Sequence, residues 1–337
     1  MPVPLWLCKS ERETLTIHQA TANDSGSSRR VSKAETRPTP KEHEGRAQLT
    51  PGESDHPSRE KSRSVKTVFL IGPPRCGTTL LGYLLGGGPR VMSLSEPFLA
   101  YAIYGPRRLR RFFFRLQRME GLKRLAPPDK ADPGAFLGFL EELATANDLS
   151  HLVIKETYRQ NQAWENVRVL DWIATGPNRV AGITRHPYDA AVSTLKFCRW
   201  WRGIVGHVLR LGAPGLPLFR DDAHLMEYFA DNWSGFVHWC QGHGLSMTRY
   251  EDLVCEPEQE LRRICEACGL PFDAAMLDNE HPRAAFGGIG APEVVKRRPK
   301  PVNTASVGRK DQLAEPLREI ILSRCAETAQ ALGYPLV

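Results

Sequence analysis

The residues best suited to chemistry lie between Gly72 and Thr79, in the run Gly-Pro-Pro-Arg-Cys-Gly-Thr-Thr. Gly72 and Gly77 have the Gly-x4-Gly spacing of a phosphate-cradling loop, but Thr78 stands where a Walker A loop carries its lysine. The cation has moved inside the loop, to Arg75. Such a loop aims backbone N–H groups and the positive end of a helix dipole at one anion, so the ligand group it suggests is a phosphate. Three charged residues further along are candidates to work with it. Glu96, in Ser-Glu-Pro, can be a general base or a helix-capping or ion-paired carboxylate. Lys155 ends a short apolar run, facing a ligand or snorkelling to the surface. Arg185 precedes His-Pro-Tyr-Asp, and its planar, permanent charge suits a phosphate dianion.

These residues need a frame. Thr67–Ile71 is an apolar, β-rich run, as expected of a strand buried on both faces of a parallel sheet, and Leu80, Leu81, Leu84 and Leu85 recur at helical spacing after the loop. Gly86-Gly87-Gly88-Pro89 stops that helix, and Arg90–Met92 reads as a short strand. A helix over Phe136–Leu149 leads to a strand at His151–Lys155. A helix over Asn161–Thr175 leads to a strand at Arg179–Arg185, and Pro187 and Asp189 suit the first turn of the next helix. Leu225–Trp239 reads as a helix, Leu245–Tyr250 as a strand with Glu251-Asp252-Leu253 opening a loop, Pro257–Cys268 as a helix and Leu313–Leu332 as a closing helix. Strands alternating with helices give an α/β fold, with ligands outside the carboxyl ends of the strands.

Two separated patterns together resemble the sulfotransferase family. Pro-Arg-Cys-Gly-Thr-Thr-Leu-Leu at 74–81 is similar to its 5′-phosphosulfate loop. Arg185-His-Pro-Tyr-Asp-x3-Ser193 is similar to its second signature, where the arginine and serine hold the 3′-phosphate. The resemblance spans about residues 66–337 and implies a P-loop-type parallel sheet flanked by helices, with helical insertions on the acceptor side. It implies 3′-phosphoadenosine 5′-phosphosulfate as co-substrate, without a metal, and sulfuryl transfer to a hydroxyl or amine of a glycan, phenol, peptide or lipid. Glu96 looks like the glutamate base of the glycan, tyrosine and bacterial branch, and Lys155 and Arg75 like its catalytic cations. Donor-binding positions carried over are Arg75, Cys76, Gly77, Thr78, Thr79, Arg185, Ser193, Tyr250 (in Tyr-Glu-Asp-Leu) and Arg309. Lys310 departs from the pattern, since an aromatic residue commonly follows that arginine. The Lys-x-x-His variant of the base does not match either, because Tyr158 stands in the histidine's place.

Composition sets the outer bounds. Residues 1–64 are polar and aperiodic and read as a disordered tail, leaving 65–337 as the catalytic domain. The formal net charge of +7 fits an anionic partner without choosing one. Residues 105–125 interleave arginines with Phe and Leu and read as a basic amphipathic helix on the acceptor side, and the aromatic and cationic stretch Leu195–Asp222 as a lid or acceptor wall. No run approaches the ~20 apolar residues of a membrane span, and the first residues are too short for a secretory signal, so a cytoplasmic setting is expected. Cys265-Glu-Ala-Cys268 is a lone pair inside a helical pattern, which reads as buried small hydrophobes before it reads as a metal or redox site. Cys76 lacks the arginine a Cys-x5-Arg phosphatase needs, because position 82 is glycine. Two alternatives stay open at this level: a P-loop kinase or NTPase, and a basic nucleic-acid binder using Arg107–Arg124.

Overall fold

The computed structural model describes residues 65–97, 99, 132–158, 164–210, 220–278, 286–288 and 302–336. The expected tail, the basic 105–125 stretch and most of 281–301 lie outside the described residues. Arg63–Ile204 and Pro217–Val337 form one compact unit, to which the following description refers. A second grouping takes Met1–Ser62 with Val205–Leu216, whose only described part is the last residues of one long helix.

The chain alternates strand and helix. In order come β1 (Lys66–Gly72), α1 (Thr78–Leu85), β2 (Val91–Ser95), α2 (Pro133–Ala146), β3 (His151–Thr157), α3 (Trp164–Thr175), β4 (Arg179–Thr184), α4 (Pro187–Arg210) and α5 (Asp222–Gly242). Then follow β5 (Met247–Arg249), α6 (Tyr250–Cys255), α7 (Pro257–Cys268), β6 (Phe286–Gly288) and α8 (Glu315–Ala331). The sheet order is β5-β4-β1-β3-β2-β6, and every pairing is parallel. After β3 the chain crosses β1 to lay down β4, so the loop that follows β1 sits where the winding reverses, the place open α/β sheets use for ligands.

Strand alternation divides the core. On β1, Phe69 and Ile71 face a cluster with Leu152, Ile154, Trp233, Phe236 and Ile321, while Val68 and Leu70 face another with Leu81, Leu84, Val153, Leu253 and Ile264. A parallel strand covered on both faces requires this near-continuous apolar run. Each buried Leu or Phe contributes about 1.5–3 kcal/mol, enough to hold a polar edge in place. α8 is laced to α5 on the first face, by Ser234 Oγ donating to Arg324 O and by the Arg324–Asp231 ion pair.

Several elements depart from the sequence reading. β2 and β3 run on to Ser95 and Thr157, so Lys155 lies inside its strand, paired with Leu70 and Ser95. α4 continues to Arg210, through Gly203 and Gly206, where a lid or loop was expected from Leu195. Glu251-Asp252-Leu253 is helical rather than a loop, its two acids complementing the first turn of α6. β6 carries no readable signal, since two of its three residues are glycine and the strand exists through its pairing with β2.

Candidate active site

At the carboxyl end of β1 the loop turns through two left-handed residues, Arg75 at φ 68 and Gly77 at φ 96. Gly77 caps α1 without a side-chain hydrogen bond, so the first-turn N–H groups around Thr78 and Thr79 keep the open arrangement that suits an anion. A Cβ at Gly77 would lie 2.4 Å from Tyr250 Cδ2, so only glycine lets the loop pass that ring. Cys76 is wholly buried, and burial pushes its thiol up to about 12 from an ordinary 9.0. A buried, protonated thiol is a poor nucleophile, and the Cys76 side chain packs in the core.

β4 and the start of α4 bring the second anchor. Arg185 is 4% exposed; its Nη1 donates to Arg75 O at 3.4 Å, its guanidinium stacks 4.3 Å from the Tyr250 ring centroid, and its own carbonyl accepts from Trp233 Nε1 at 3.0 Å. The two loops thus share one crevice. Along α4, Asp189, Ser193 and Phe197 follow at four-residue intervals and form one stripe. Ser193 Oγ accepts from Arg75 Nε at 3.2 Å, and the Arg75 guanidinium carbon lies 5.0 Å from the Phe197 centroid. Residues 306–309 cover this edge: Ser306 O accepts from Arg185 Nη2, while Gly308 N and Arg309 N donate to Asp189. The guanidinium Nε atoms of Arg185 and Arg309 are buried with no protein partner. Burial, with the Arg185 charge beside it, lowers the Arg309 pKa. Two arginines with unpartnered buried nitrogens and like charge fit an oxyanion between them.

On the other side of the loop, Glu96 and Lys155 form an ion pair of 2.6 Å, with the lysine side chain 3% exposed. Thr157 Oγ1 donates to the same Glu96 Oε1 at 2.6 Å and accepts from Lys155 Nζ at 3.2 Å. Thr157 pairs with Gly72 in the sheet, which sets this cluster beside the loop. The snorkelling alternative for Lys155 is therefore excluded: in a buried pair each charge offsets the desolvation of the other. Glu96 sits at φ 54, where non-glycine residues rarely go, fixed by its N–H donating to Lys155 O at 2.9 Å.

The expected residues thus fall into two neighbouring groups, Arg75, Gly77, Arg185, Ser193, Tyr250 and Arg309 around one crevice, and Glu96 with Lys155 beside the loop. Lys310 leaves the crevice and lies 6.0 Å from the Tyr188 ring centroid. His186 is structural in its contacts: its N–H donates to Glu251 Oε1 at 2.9 Å and its Nε2 to Pro335 O at 3.2 Å. Glu251 also accepts from Tyr334 at 2.9 Å, and Tyr188 donates to Leu336 O at 3.2 Å, so residues 334–336 brace the turn that carries Arg185. Sequence reading passed over Thr157, although strand alternation places it on the same face as Lys155. The contacts of Asp189, the Ser306 carbonyl, Trp233 and Glu251 were not legible, because their partners lie far along the chain.

A model of the sulfotransferase family matches residues 67–274, from β1 through the last turn before β6. The chain belongs to the sulfotransferase family. The match stops short of Arg309, so the covering loop stands on its own geometry. Similar solved structures include the sulfotransferase domain from the curacin biosynthetic pathway (17% identity, covering 82% of this chain and 100% of that one, TM-score 0.47). The sulfotransferase domain of the Synechococcus PCC 7002 olefin synthase is 20% identical and covers 82% and 98%, with a TM-score of 0.46. A mouse sulfotransferase complexed with PAP is 13% identical and covers 80% and 88%, with a TM-score of 0.40. No curated protein matches this sulfotransferase. No helix among its described residues is long and apolar enough to cross a membrane.

Proposed function

We propose that this sulfotransferase transfers the sulfuryl group of 3′-phosphoadenosine 5′-phosphosulfate to a hydroxyl or amine of an acceptor, with Glu96 as general base. The observation that carries the reading is Arg185 resting against the β1 loop while it and Arg309 keep buried, unpartnered guanidinium nitrogens. Those cations suit a 3′-phosphate, and the open start of α1 suits the 5′-phosphosulfate. The Tyr250 ring, buried between Gly77 and Arg185, closes the base of the same crevice.

In this reading the donor supplies the sulfuryl group and the protein supplies position and charge. Glu96, held by Thr157 and Lys155, accepts the acceptor's proton as the new S–O or S–N bond forms. The S–O bond to the 5′-phosphate breaks, and Arg75, Lys155 and the loop N–H groups take up charge on the sulfuryl and leaving phosphate oxygens. The acceptor is a glycan, phenol, peptide or lipid; a labelled-donor screen across those classes selects among them.

Glu96→Gln tests the assignment. Losing a positioned base costs ~10²–10⁴ in rate, so turnover falls by that factor while 3′-phosphoadenosine 5′-phosphate still raises the melting temperature. Parental turnover in that variant removes Glu96 from the role. Stabilisation of the parent by magnesium–ATP in preference to the 3′-phosphorylated nucleotide would instead point to phosphoryl transfer.

A further inference from the structure

The 302–312 segment has little to hold it by burial: among residues 302–310 none is buried, and Gly308 is fully on the surface side. Yet one contact to it is buried. The side chain of Asp189, 2% exposed in the first turn of α4, accepts Arg309 N–H on Oδ1 at 2.6 Å and Gly308 N–H on Oδ2 at 2.9 Å. Gly308 at φ 73 is followed by Arg309 at φ −100, the left-then-right sequence that turns successive N–H groups toward one anion. The clasp is reciprocal, because Arg309 Nη2 donates to the backbone carbonyl of Asp189 at 3.1 Å. Two turns along α4, Lys196 Nζ donates to Gln312 Oε1 at 2.6 Å at the exposed end of the same contact.

We propose that Asp189 is a positioning residue for the donor: its carboxylate fastens the 302–312 segment to α4 and so sets Arg309 and the Ser306 carbonyl beside Arg185. The inference rests on the donor reading above and adds to it. Arg185 is fixed by β4 and Trp233, whereas Arg309 is tied to α4 by its N–H and Nη2 contacts with Asp189. The Asp189 carboxylate is spent on backbone N–H groups, and the Nε atoms of Arg185 and Arg309 stay without a protein partner. Asp189 therefore acts without touching the nucleotide. It governs 3′-phosphate recognition and leaves the 5′ end to the β1 loop.

Two variants separate this from general damage. Asp189→Asn keeps shape and removes the charge, while Gly308→Pro, at an exposed site, deletes one of the two donated N–H groups and excludes the φ of 73. Hydrogen exchange on the ligand-free full chain is the first readout: amides 308 and 309 should lose protection in Asp189→Asn, and 309 in Gly308→Pro. Unchanged protection in both overturns the clasp, whatever the ligand. The second readout is calorimetric affinity for 3′-phosphoadenosine 5′-phosphate against adenosine 5′-phosphate. The parent's preference for the former should shrink by about tenfold or more in each variant, since hydrogen bonds to a charged group are worth that much, with adenosine 5′-phosphate affinity kept. Parental preference in both variants also overturns the proposal. A parent with no preference defeats the donor reading instead, and with it the role of Asp189 in recognition.

Discussion

As the proposed general base, Glu96 has to be held in one orientation while it takes a proton from the acceptor. Lys155 and Thr157 both bond the same oxygen of Glu96 and hold it in place. Thr157→Val should therefore lower kcat about tenfold or more, the worth of a hydrogen bond to a charged group, with nucleotide affinity unchanged and Thr157→Ser recovering most of the loss. Equal loss in the Ser and Val variants would make the residue a packing element only. Gly77 poses a different problem, one of space. Gly77→Ala places a methyl against the Tyr250 ring and forces a non-glycine φ of 96, so nucleotide affinity should drop at least tenfold and the melting temperature by several degrees. Calorimetry and a thermal scan read both; an unaffected variant would mean that the ring moves freely.

At the scale of elements, what could be read in the sequence was whatever local pattern dictates. The β1–loop–α1 unit was legible because an apolar run, two glycines and a leucine stripe all act within twenty or so residues. Arg185 and Ser193 were legible because one strand end and one helix turn set them. What stayed hidden depends on pairing between distant segments. β6 has no periodicity of its own, the clasp on Asp189 comes from a turn far downstream, and α4 runs on through two glycines that could have ended it. Trp233 shows the same limit: its apolar bulk marks α5 as core, but only the fold shows its N–H on the Arg185 carbonyl. Trp233→Phe should cost about 2–4 kcal/mol in denaturant unfolding, from lost volume and an unsatisfied buried carbonyl. It should also weaken binding of the 3′-phosphorylated nucleotide more than of adenosine 5′-phosphate.

For the molecule as a whole, the thiols and phenols sunk in the core make stability depend on alkali. Burial pushes Cys76, Cys240 and Cys325 up to about 12 from an ordinary 9.0, and Tyr158 up to about 12 from 10.0. A pKa raised in the folded state means that the folded chain holds protons the unfolded chain gives up first. The contribution is complete below about pH 9 and is lost as pH climbs toward 12. The melting temperature should accordingly be flat from pH 7 to 9 in reducing buffer and fall continuously above it; a flat profile to pH 11 would mean these groups are reached by water. The same burial predicts that iodoacetamide leaves Cys76 unmodified at neutral pH while the exposed Cys255 reacts.

The brace formed by residues 334–336 gives the site a place in time as well as in space. Translation delivers those residues after every segment they support, so a chain still on the ribosome has its β1 loop and Arg185 but lacks the Tyr334–Glu251 and Tyr188–Leu336 contacts that steady the turn between them. The turn that carries Arg185 can therefore take its final geometry only once residues 334–336 have been made and have docked against it.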